Sequence, residues 1–324
     1  MKKNNAAIYM LSSRKDNLYD CIKSLYECWN NNYDYPVYIH YFDQIYDDSD
    51  FQKKFYDISN NIYFKSIKYR IPFSIKYRDL FFNRQYLNYV KNSFSEDRLG
   101  YLHMEYFVSD IYNFGKIGVG CKELKKYDFL MRIDDDIKFN NPIEFDLFEK
   151  TKGHPIATGH AWSRTEEELK NNNDYFDVRE NLYSFIKEYV FENNIHVENN
   201  KLRQSIENNK EILMHTLKWS AGNLNIYDMK YFNNLIFKKY ISKINKYGGA
   251  YKHRWGDQEI LGLFNYIHYD IPLLDLNLQK NNLYEPRIKN TTYAPSVRKN
   301  KYFTFRKKFI NFLRKIFRKI FRQP

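Results

Sequence analysis

The chain is poor in cysteine, and its three cysteines form no recognisable disulfide framework. Cys21, Cys28 and Cys121 are an odd number among 324 residues, without the regular spacing of a disulfide-bonded domain. Cys21 and Cys28 lie seven residues apart within a helical pattern, where we expect core positions. The count therefore argues against disulfide stapling and favours a reducing compartment.

Long apolar runs and the glycine fingerprint of dinucleotide folds are also missing. The apolar run 6–11 is too short for a signal sequence or a membrane span, and Arg14 and Lys15 follow it at once. We therefore expect no export signal. The missing fingerprint leaves the identity of any bound nucleotide open.

Acidic residues are absent from the last 27 positions, 298–324. Eleven of the thirteen net positive charges lie there, so residues 1–297 carry only about +2 and no basic groove for nucleic acid is expected. Within this stretch Phe, Leu and Ile recur at helical spacing opposite Lys and Arg. That pattern predicts an amphipathic helix on an anionic membrane surface, with a helix docked on the domain or a solvated tail as alternatives.

The remaining 297 residues are long enough for one large α/β domain, and 43% of the whole chain is hydrophobic. Residues 6–11 predict a strand, Leu18 to Trp29 a helix, and Val37 to Phe42 a second strand. This β-α-β opening is typical of a doubly wound sheet. Residues 104–114 and 260–267 predict further helices, whereas the polar stretch 164–212 is interpreted as an acceptor-side subdomain or a mobile lid.

Three aspartates follow directly after the predicted buried strand Tyr127 to Ile133. In open α/β sheets, ligands bind outside the carboxyl ends of the strands. Asp134 and Asp136 can supply oxygen ligands to Mn²⁺ or Mg²⁺, which a leaving nucleotide diphosphate needs to balance its charge. An acidic loop without a metal is the alternative. The triplet therefore favours a metal-dependent transferase that uses a nucleotide sugar.

A second acidic group begins the predicted helix near residue 260. Asp257 and Glu259 follow a Gly-rich bend at Gly248-Gly249. A carboxylate at this place can bind or deprotonate an acceptor hydroxyl. An ordinary N-cap aspartate is the alternative, and from this pattern alone it is favoured somewhat.

The motifs together resemble the fungal α-1,2-mannosyltransferases that extend glycolipids and O-glycans, glycosyltransferase family 15. The resemblance runs from about residue 6 to residue 270. It rests on the order of Tyr33-Asp34-Tyr35-Pro36, Tyr101, His103-Met104, the stretch 127–139, Trp219-Ser220, Gly248-Gly249 and Arg254-Trp255-Gly256-Asp257. The family implies the GT-A type α/β fold, a single Rossmann-like mixed sheet flanked by helices.

The resemblance also implies roles for single residues. Asp134 and Asp136 fall on the Glu and Asp of the family's Glu-Pro-Asp and are the implied metal ligands, while Asp135 stands at its Pro. The implied donor-binding residues are Arg14, Tyr101, Arg132 and Asp134. Asp257 matches the family aspartate that handles the acceptor hydroxyl, so the resemblance favours a catalytic role for Asp257 over that of a helix cap.

The chain departs from the family in three places. Asn225 stands where the family has a suspected nucleophilic carboxylate, unless Asp228 or Asn223 takes that place. The family's histidine metal ligand has no counterpart in residues 270–285, so that His268, Asp275 or Asn277 is the expected substitute. The N-terminal membrane span of the fungal members is absent from this sequence.

The sequence thus predicts a retaining hexosyltransferase that moves mannose from GDP-mannose in α linkage to a glycan or glycolipid. The alternatives are a UDP-hexose-dependent galactosyl- or glucosyltransferase and a non-catalytic glycan-binding relative. A basic tail, unpaired cysteines and the absence of a signal place the expected enzyme on the cytosolic face of a membrane.

Overall fold

The computed structural model of the chain describes residues 3–12, 15–41, 44–67, 121–171, 181–249, 255–278 and 282–284. Its first half runs β1 (Ala6–Ser12), α1 (Lys15–Cys28), β2 (Val37–Tyr41), α2 (Ser49–Tyr56) and β3 (Ile62–Ser66). This order confirms the predicted β-α-β opening. The predicted helix 104–114 and the tail 298–324 lie outside the described residues.

The second half is a mixture of short strands and helices. In chain order these are β4 (Phe129–Ile133), β5 (Lys138–Phe139), α3 (Leu147–Thr151), β6 (Ile156–Thr158), β7 (Ala161–Trp162), α4 (Glu166–Lys170), α5 (Leu182–Glu192), α6 (Asn200–Glu207), α7 (Glu211–His215), β8 (Trp219–Ser220), β9 (Leu224–Asp228), α8 (Met229–Phe232), α9 (Leu235–Tyr247), α10 (Asp257–His268), β10 (Leu274–Asp275) and β11 (Leu283–Tyr284). The predicted strand before the acids and the predicted helix near residue 260 are both present, as β4 and α10.

Seven strands form one mixed sheet in the order β10-β6-β9-β4-β1-β2-β3. Strands β3, β2, β1 and β4 pair in parallel, whereas β9 runs antiparallel to both of its neighbours, β4 and β6. The parallel strands end at one edge, where Ser12 closes β1 and Ile133 closes β4. The acidic triplet follows β4 at this edge.

Helices cover both faces of the sheet. Side chains of β1 alternate, so Ile8 and Met10 join one core cluster with α1, while Ala7 and Tyr9 join another with α5 and α10. Every residue of β2, β4 and β9 is buried. Because both faces of the sheet are covered, most positions of β2 and β4 are apolar rather than alternately polar, with His40 and Arg132 as the exceptions.

The described part of the polar stretch 164–212 is helical and packed. Apolar side chains of α5, α6 and α7 belong to the same core cluster as the sheet face that carries Tyr9. Helix α9 ends at Gly248, whose φ of +90° is the left-handed conformation that favours glycine. Of the helices that the structure describes, none is both long and apolar enough to cross a bilayer.

Candidate active site

Several of the predicted site residues, among them Arg132, Asp134 and Asp257, meet at the carboxyl edge of the parallel strands. Backbone pairing aligns Tyr9 of β1, Arg132 of β4, Asn225 of β9 and Thr158 of β6 across the sheet. Because side chains of paired residues share a face, these four side chains form one row. The triplet and the start of α10 lie beside this row.

Arg132 connects the two acidic groups of the sequence. Its Nη2 donates to Asp134 Oδ1 at 2.8 Å, and its Nη1 donates to Asp257 Oδ2 at 3.2 Å. The same Nη1 also donates to the carbonyl oxygen of Gly222. Only 6% of the Arg132 side chain is exposed, so this guanidinium is a buried link rather than a surface charge. Its planar fork suits such a bridge between two carboxylates.

Asp134 combines this ion pair with partial access to solvent. Its side chain is 35% exposed, while its backbone N–H donates to Asn223 O at 3.0 Å. Burial raises the pKa of Asp134 to about 7; Arg132 opposes the shift, and the charges of Asp136 and Asp135 add to it.

A divalent cation would relieve the repulsion within this group of carboxylates. Asp134 and Asp136 are both partly exposed, and carboxylate oxygens are the donors that Mn²⁺ and Mg²⁺ prefer. The donor set therefore fits the predicted metal.

Asp135 has a different role from its neighbours. It is 2% exposed and accepts a hydrogen bond from Ser12 Oγ at 2.9 Å, and Ser12 Oγ also lies 2.9 Å from Tyr46 OH. These contacts tie the acidic turn to the end of β1. Asp135 is thus a structural residue that holds Asp134 and Asp136 in place, a contribution that the sequence did not reveal.

Asp257 is the first residue of α10 and not its N-cap. Gly256 occupies the N-cap position, with φ −81° and ψ 161°. Asp257 is 2% exposed, and burial raises the pKa of its carboxyl despite the charge of Arg132. The cap interpretation is therefore wrong in position, and the side chain turns to Arg132.

The amides near Arg132 are buried as well. Asn225 is 0% exposed; its Nδ2 donates to Tyr227 OH at 3.1 Å, and its Oδ1 has no hydrogen-bond partner among the described residues. Asn223 is also buried, at the turn that leads into β9. The structure thus brings both amides to the site.

Asp228, the alternative for the nucleophile position, lies at the opposite end of the sheet. It pairs with Phe129 at the start of β4, four residues before Ile133, or about 13 Å along the strand. There it caps α8 by accepting from Lys230 N, and it pairs with Lys230 Nζ at 3.1 Å. The structure corrects this candidate from a catalytic residue to a helix cap.

The candidates for a third metal ligand are not assembled around the triplet. His268 lies at the far end of α10 and contacts Tyr189 OH at 3.2 Å, so the structure corrects that candidate. Asp275 accepts from Ala161 N and Asn277 N. Within the described ranges, neither Asp134 nor Asp136 belongs to a group of three His, Cys, Asp or Glu residues whose ligand atoms all lie within 4.8 Å of one another.

Two predicted donor-binding residues, Arg14 and Tyr101, lie outside the described residues.

Gly222 is a residue of the site that the sequence analysis did not identify. Gly222 has φ +86°, and a Cβ at this position would lie 1.9 Å from Gln258 Nε2. The absence of a side chain lets the turn before β9 approach α10 and present its carbonyl to Arg132. In the sequence, this role is indicated by a glycine two residues after the Trp219-Ser220 pair.

Comparison with known proteins links this site to mannosyltransferases. A family model described as glycolipid 2-alpha-mannosyltransferase matches residues 1–267. The O-glycoside alpha-1,2-mannosyltransferase homolog 3 of Schizosaccharomyces pombe is 23% identical over 272 residues, which are 80% of this chain and 66% of that protein. Glycolipid 2-alpha-mannosyltransferase 1 of Candida albicans is 25% identical over 42% of this chain and 30% of its own length. The chain thus spans just under two thirds of the first relative.

Solved structures show the same fold. Core-mannan synthase A of Aspergillus fumigatus, in its Mn/GDP form, superposes with a TM-score of 0.64 at 16% identity, covering 82% of this chain and 70% of that chain. The S. cerevisiae mannosyltransferase Ktr4p in complex with GDP gives 0.63 at 20% identity, covering 82% and 67%. These likenesses confirm the predicted α/β fold of the GT-A type.

Proposed function

The chain belongs to the glycolipid 2-alpha-mannosyltransferase family, glycosyltransferase family 15, and on that premise we propose that it transfers mannose from GDP-mannose to a glycan or glycolipid hydroxyl in α linkage. One observation carries the proposal: buried Arg132 joins Asp134, on the donor side, to Asp257, on the acceptor side. The family resemblance in the sequence is confirmed by the same match.

The donor side is built from Asp134 and Asp136. They would hold Mn²⁺ or Mg²⁺, which supplies positive charge to the diphosphate as it leaves. The Mn/GDP form of the Aspergillus fumigatus relative and the GDP complex of the S. cerevisiae relative support this choice of metal and nucleotide. Arg132 keeps Asp134 in one orientation, and Asp135 anchors the turn through Ser12.

The acceptor side is built around Asp257. Its carboxylate lies at the start of α10, and burial makes it more basic than an exposed aspartate. We assign it the binding and orientation of the acceptor hydroxyl. Arg132 restrains this carboxylate through the 3.2 Å contact, so the two sides of the site are fixed relative to each other.

Asn225 favours front-side displacement for a retaining reaction. An amide cannot form the covalent glycosyl-enzyme of double displacement, and Asp228 lies at the wrong end of the sheet. In the front-side reaction, the C1–O bond breaks with its electron pair going to the diphosphate. The acceptor oxygen bonds C1 on the same face, and its proton passes to the leaving phosphate oxygen.

A panel of nucleotide sugars tests the proposal. Purified chain with Mn²⁺ is incubated with GDP-mannose, UDP-galactose or UDP-glucose and a set of glycan and glycolipid acceptors, and nucleotide release is measured. Turnover with GDP-mannose alone supports the proposal, whereas turnover with a UDP-hexose would move the donor assignment to that nucleotide. A folded chain that turns over no donor would favour the non-catalytic glycan-binding relative.

We further propose that residues 298–324 attach the enzyme to an anionic membrane surface on the cytosolic face. The support is the segregation of eleven cations from the Phe, Leu and Ile positions in the sequence. Flotation with phosphatidylserine vesicles compares the full chain with a variant that ends at residue 297. Equal binding of the two forms to anionic vesicles would refute this attachment.

A further inference from the structure

Three side chains that commonly bind metals meet outside the proposed active site. His40 lies in β2, and Cys121 and Glu123 lie at the 3-10 turn Lys122–Lys126 that leads towards β4. One ligand atom from each side chain lies within 4.8 Å of the other two. His40 Nε2 and Glu123 Oε1 lie 3.3 Å apart.

The burial of the three residues is unusual for groups of this polarity. The His40 side chain is fully buried, Cys121 is 6% exposed, and the Glu123 side chain is 24% exposed. Burying an imidazole and a carboxylate together costs free energy unless hydrogen bonds or a metal offset the lost hydration. A buried thiol beside them adds a ligand that a simple His–Glu hydrogen bond does not need.

We propose that His40, Cys121 and Glu123 bind one Zn²⁺ ion, with water as the fourth ligand. Imidazole nitrogen, thiolate sulfur and carboxylate oxygen are the usual protein ligands of zinc. Thiolate disfavours Mg²⁺, Ca²⁺ and Mn²⁺, which take oxygen ligands. The site is therefore chemically distinct from the pair Asp134 and Asp136, and it does not rest on the proposed function.

The geometry needs only a small contraction. Tetrahedral zinc with bonds of about 2.0 to 2.3 Å places its ligand atoms roughly 3.3 to 3.8 Å apart. The contact between His40 and Glu123 already has this length.

The Glu123 carboxylate is placed to bind a cation, because its Oε1 lies 3.3 Å from His40 Nε2 and 24% of its side chain is exposed. Zinc then displaces the proton of the Cys121 thiol, which passes to solvent as the sulfur–zinc bond forms.

The Zn²⁺ ion would connect the turn that precedes β4 to strand β2. His40 is paired with Leu11 of β1 and with Lys65 of β3, so it belongs to the rigid centre of the sheet. The turn that carries Glu123 ends just before β4, the strand that carries Arg132. We therefore assign the zinc a structural role in holding the turn against the sheet.

Cobalt substitution gives a direct test on the full chain. Protein freed of metal with a chelator is titrated with Co²⁺, and the near-ultraviolet band of thiolate-to-cobalt charge transfer is followed. We expect one equivalent of Co²⁺ to produce the band and one equivalent of Zn²⁺ to abolish it. A folded wild-type chain that shows no band would overturn the proposal.

Matched variants locate the site. Cys121→Ser should lose the band, whereas Cys28→Ser and Asp136→Asn should keep it because both lie elsewhere in the fold. Glu123→Gln keeps the side-chain shape at a partly exposed position, so we expect it to fold and to bind Zn²⁺ at least about tenfold more weakly. Zinc should also raise the Tm of the wild type more than that of Glu123→Gln. A band that persists in Cys121→Ser, or equal zinc affinity in Glu123→Gln, would contradict the assignment.

Discussion

At the scale of single residues, the site depends on a buried ion-pair network. Arg132, Asp134 and Asp257 share two charge-assisted contacts, and Gly222 supplies a further acceptor to the guanidinium. Such a network is costly to bury but also costly to break, because removing one member leaves the others without compensation. The network orients the two carboxylates, because the Arg132 side chain restrains both Asp134 and Asp257.

Arg132→Lys should separate the effect of the positive charge at this position from the effect of the guanidinium geometry. Lysine keeps the positive charge but lacks the planar fork that contacts two carboxylates and a carbonyl. We expect a folded protein in which kcat falls by about tenfold or more, an effect of misplaced groups. Arg132→Met should in addition lower the free energy of unfolding by about 3 to 5 kcal/mol. Steady-state kinetics and urea unfolding measure the two effects.

Arg203→Lys is the control for this pair, because Arg203 lies on α6 and contacts Asn200 and His196 rather than the site. It should leave kcat unchanged. Wild-type kinetics in Arg132→Lys would show that the guanidinium fork has no part in orienting the carboxylates.

Asp257→Asn tests the acceptor-side carboxylate. The amide is nearly isosteric but carries no negative charge to bind and orient the acceptor hydroxyl, so we expect kcat to fall by about 100-fold or more. Binding of GDP with Mn²⁺ should be nearly unchanged, because Asp134 and Asp136 remain. Asp228→Asn is the matched control: asparagine also caps helices, and Asp228 lies at the opposite end of the sheet. Equal activity losses in the two variants would contradict the assignment.

At the scale of elements, the first strands and helices could be predicted because their apolar patterns are local. Helix α1 and strands β1, β2 and β4 appear near the predicted residues. Pairing between distant segments is not encoded locally. The antiparallel insertion of β9 beside β4, which brings Asn225 to Arg132 and sends Asp228 away, followed from neither composition nor periodicity.

The same distinction applies to the site. The position of Asp134 and Asp136 after a buried strand predicted their place at the sheet edge. The link from Arg132 to Asp257 joins residues 125 positions apart and depends on how α10 packs. Likewise, the burial of Asp135 depends on a hydroxyl from β1, which no local pattern indicates.

The turn before β9 offers a test of close packing. Gly222→Ala places a Cβ against the amide end of the Gln258 side chain at a left-handed φ, so it should add the displacement of that side chain to the backbone strain. Gly153→Ala is the control, since Gly153 has φ +87° with nothing within 4 Å of an added Cβ. In the double variant Gly222→Ala/Gln258→Ala the contact between the two side chains is removed. Its loss of thermal stability should therefore approach that of Gly153→Ala. Thermal unfolding measures all three, and equal losses for the two single variants would contradict the contact.

His268, at the C-terminal end of α10, predicts that the free energy of unfolding depends on pH. Burial lowers the pKa of His268 to about 4, whereas an exposed histidine titrates near about 6.5. Between these values the unfolded chain binds a proton that the folded chain does not, so this contribution to stability is present above about pH 6.5 and is lost as the pH falls towards 4.

His268→Phe should therefore show a shallower fall of Tm between pH 6.5 and 4 than the wild type. Phe264 and Tyr189 surround the position with aromatic rings, which can accept phenylalanine. His196→Gln, at an exposed histidine, should keep the wild-type slope. Parallel slopes for wild type and His268→Phe would show that His268 is not the group responsible.

At the scale of the whole molecule, most of the net positive charge and the proposed active site lie in different parts of the chain. Residues 1–297 are almost neutral in net charge, and the proposed active site lies at one sheet edge, where carboxylates accumulate beside the buried side chain of Arg132. Burial and, to a smaller extent, the neighbouring carboxylates raise the pKa of Asp134, so the ionised group is unfavourable without a cation. A metal and a nucleotide diphosphate therefore complete the charge balance of the site in the proposed enzyme.

Calorimetric titration of GDP into the metal-free chain, with and without Mn²⁺, tests this claim most directly. In the wild type we expect Mn²⁺ to tighten GDP binding by at least about tenfold, and in Asp136→Asn we expect that gain to disappear. GDP binding of equal strength with and without Mn²⁺, or an undiminished Mn²⁺ effect in Asp136→Asn, would contradict a metal-dependent donor site at the acidic triplet.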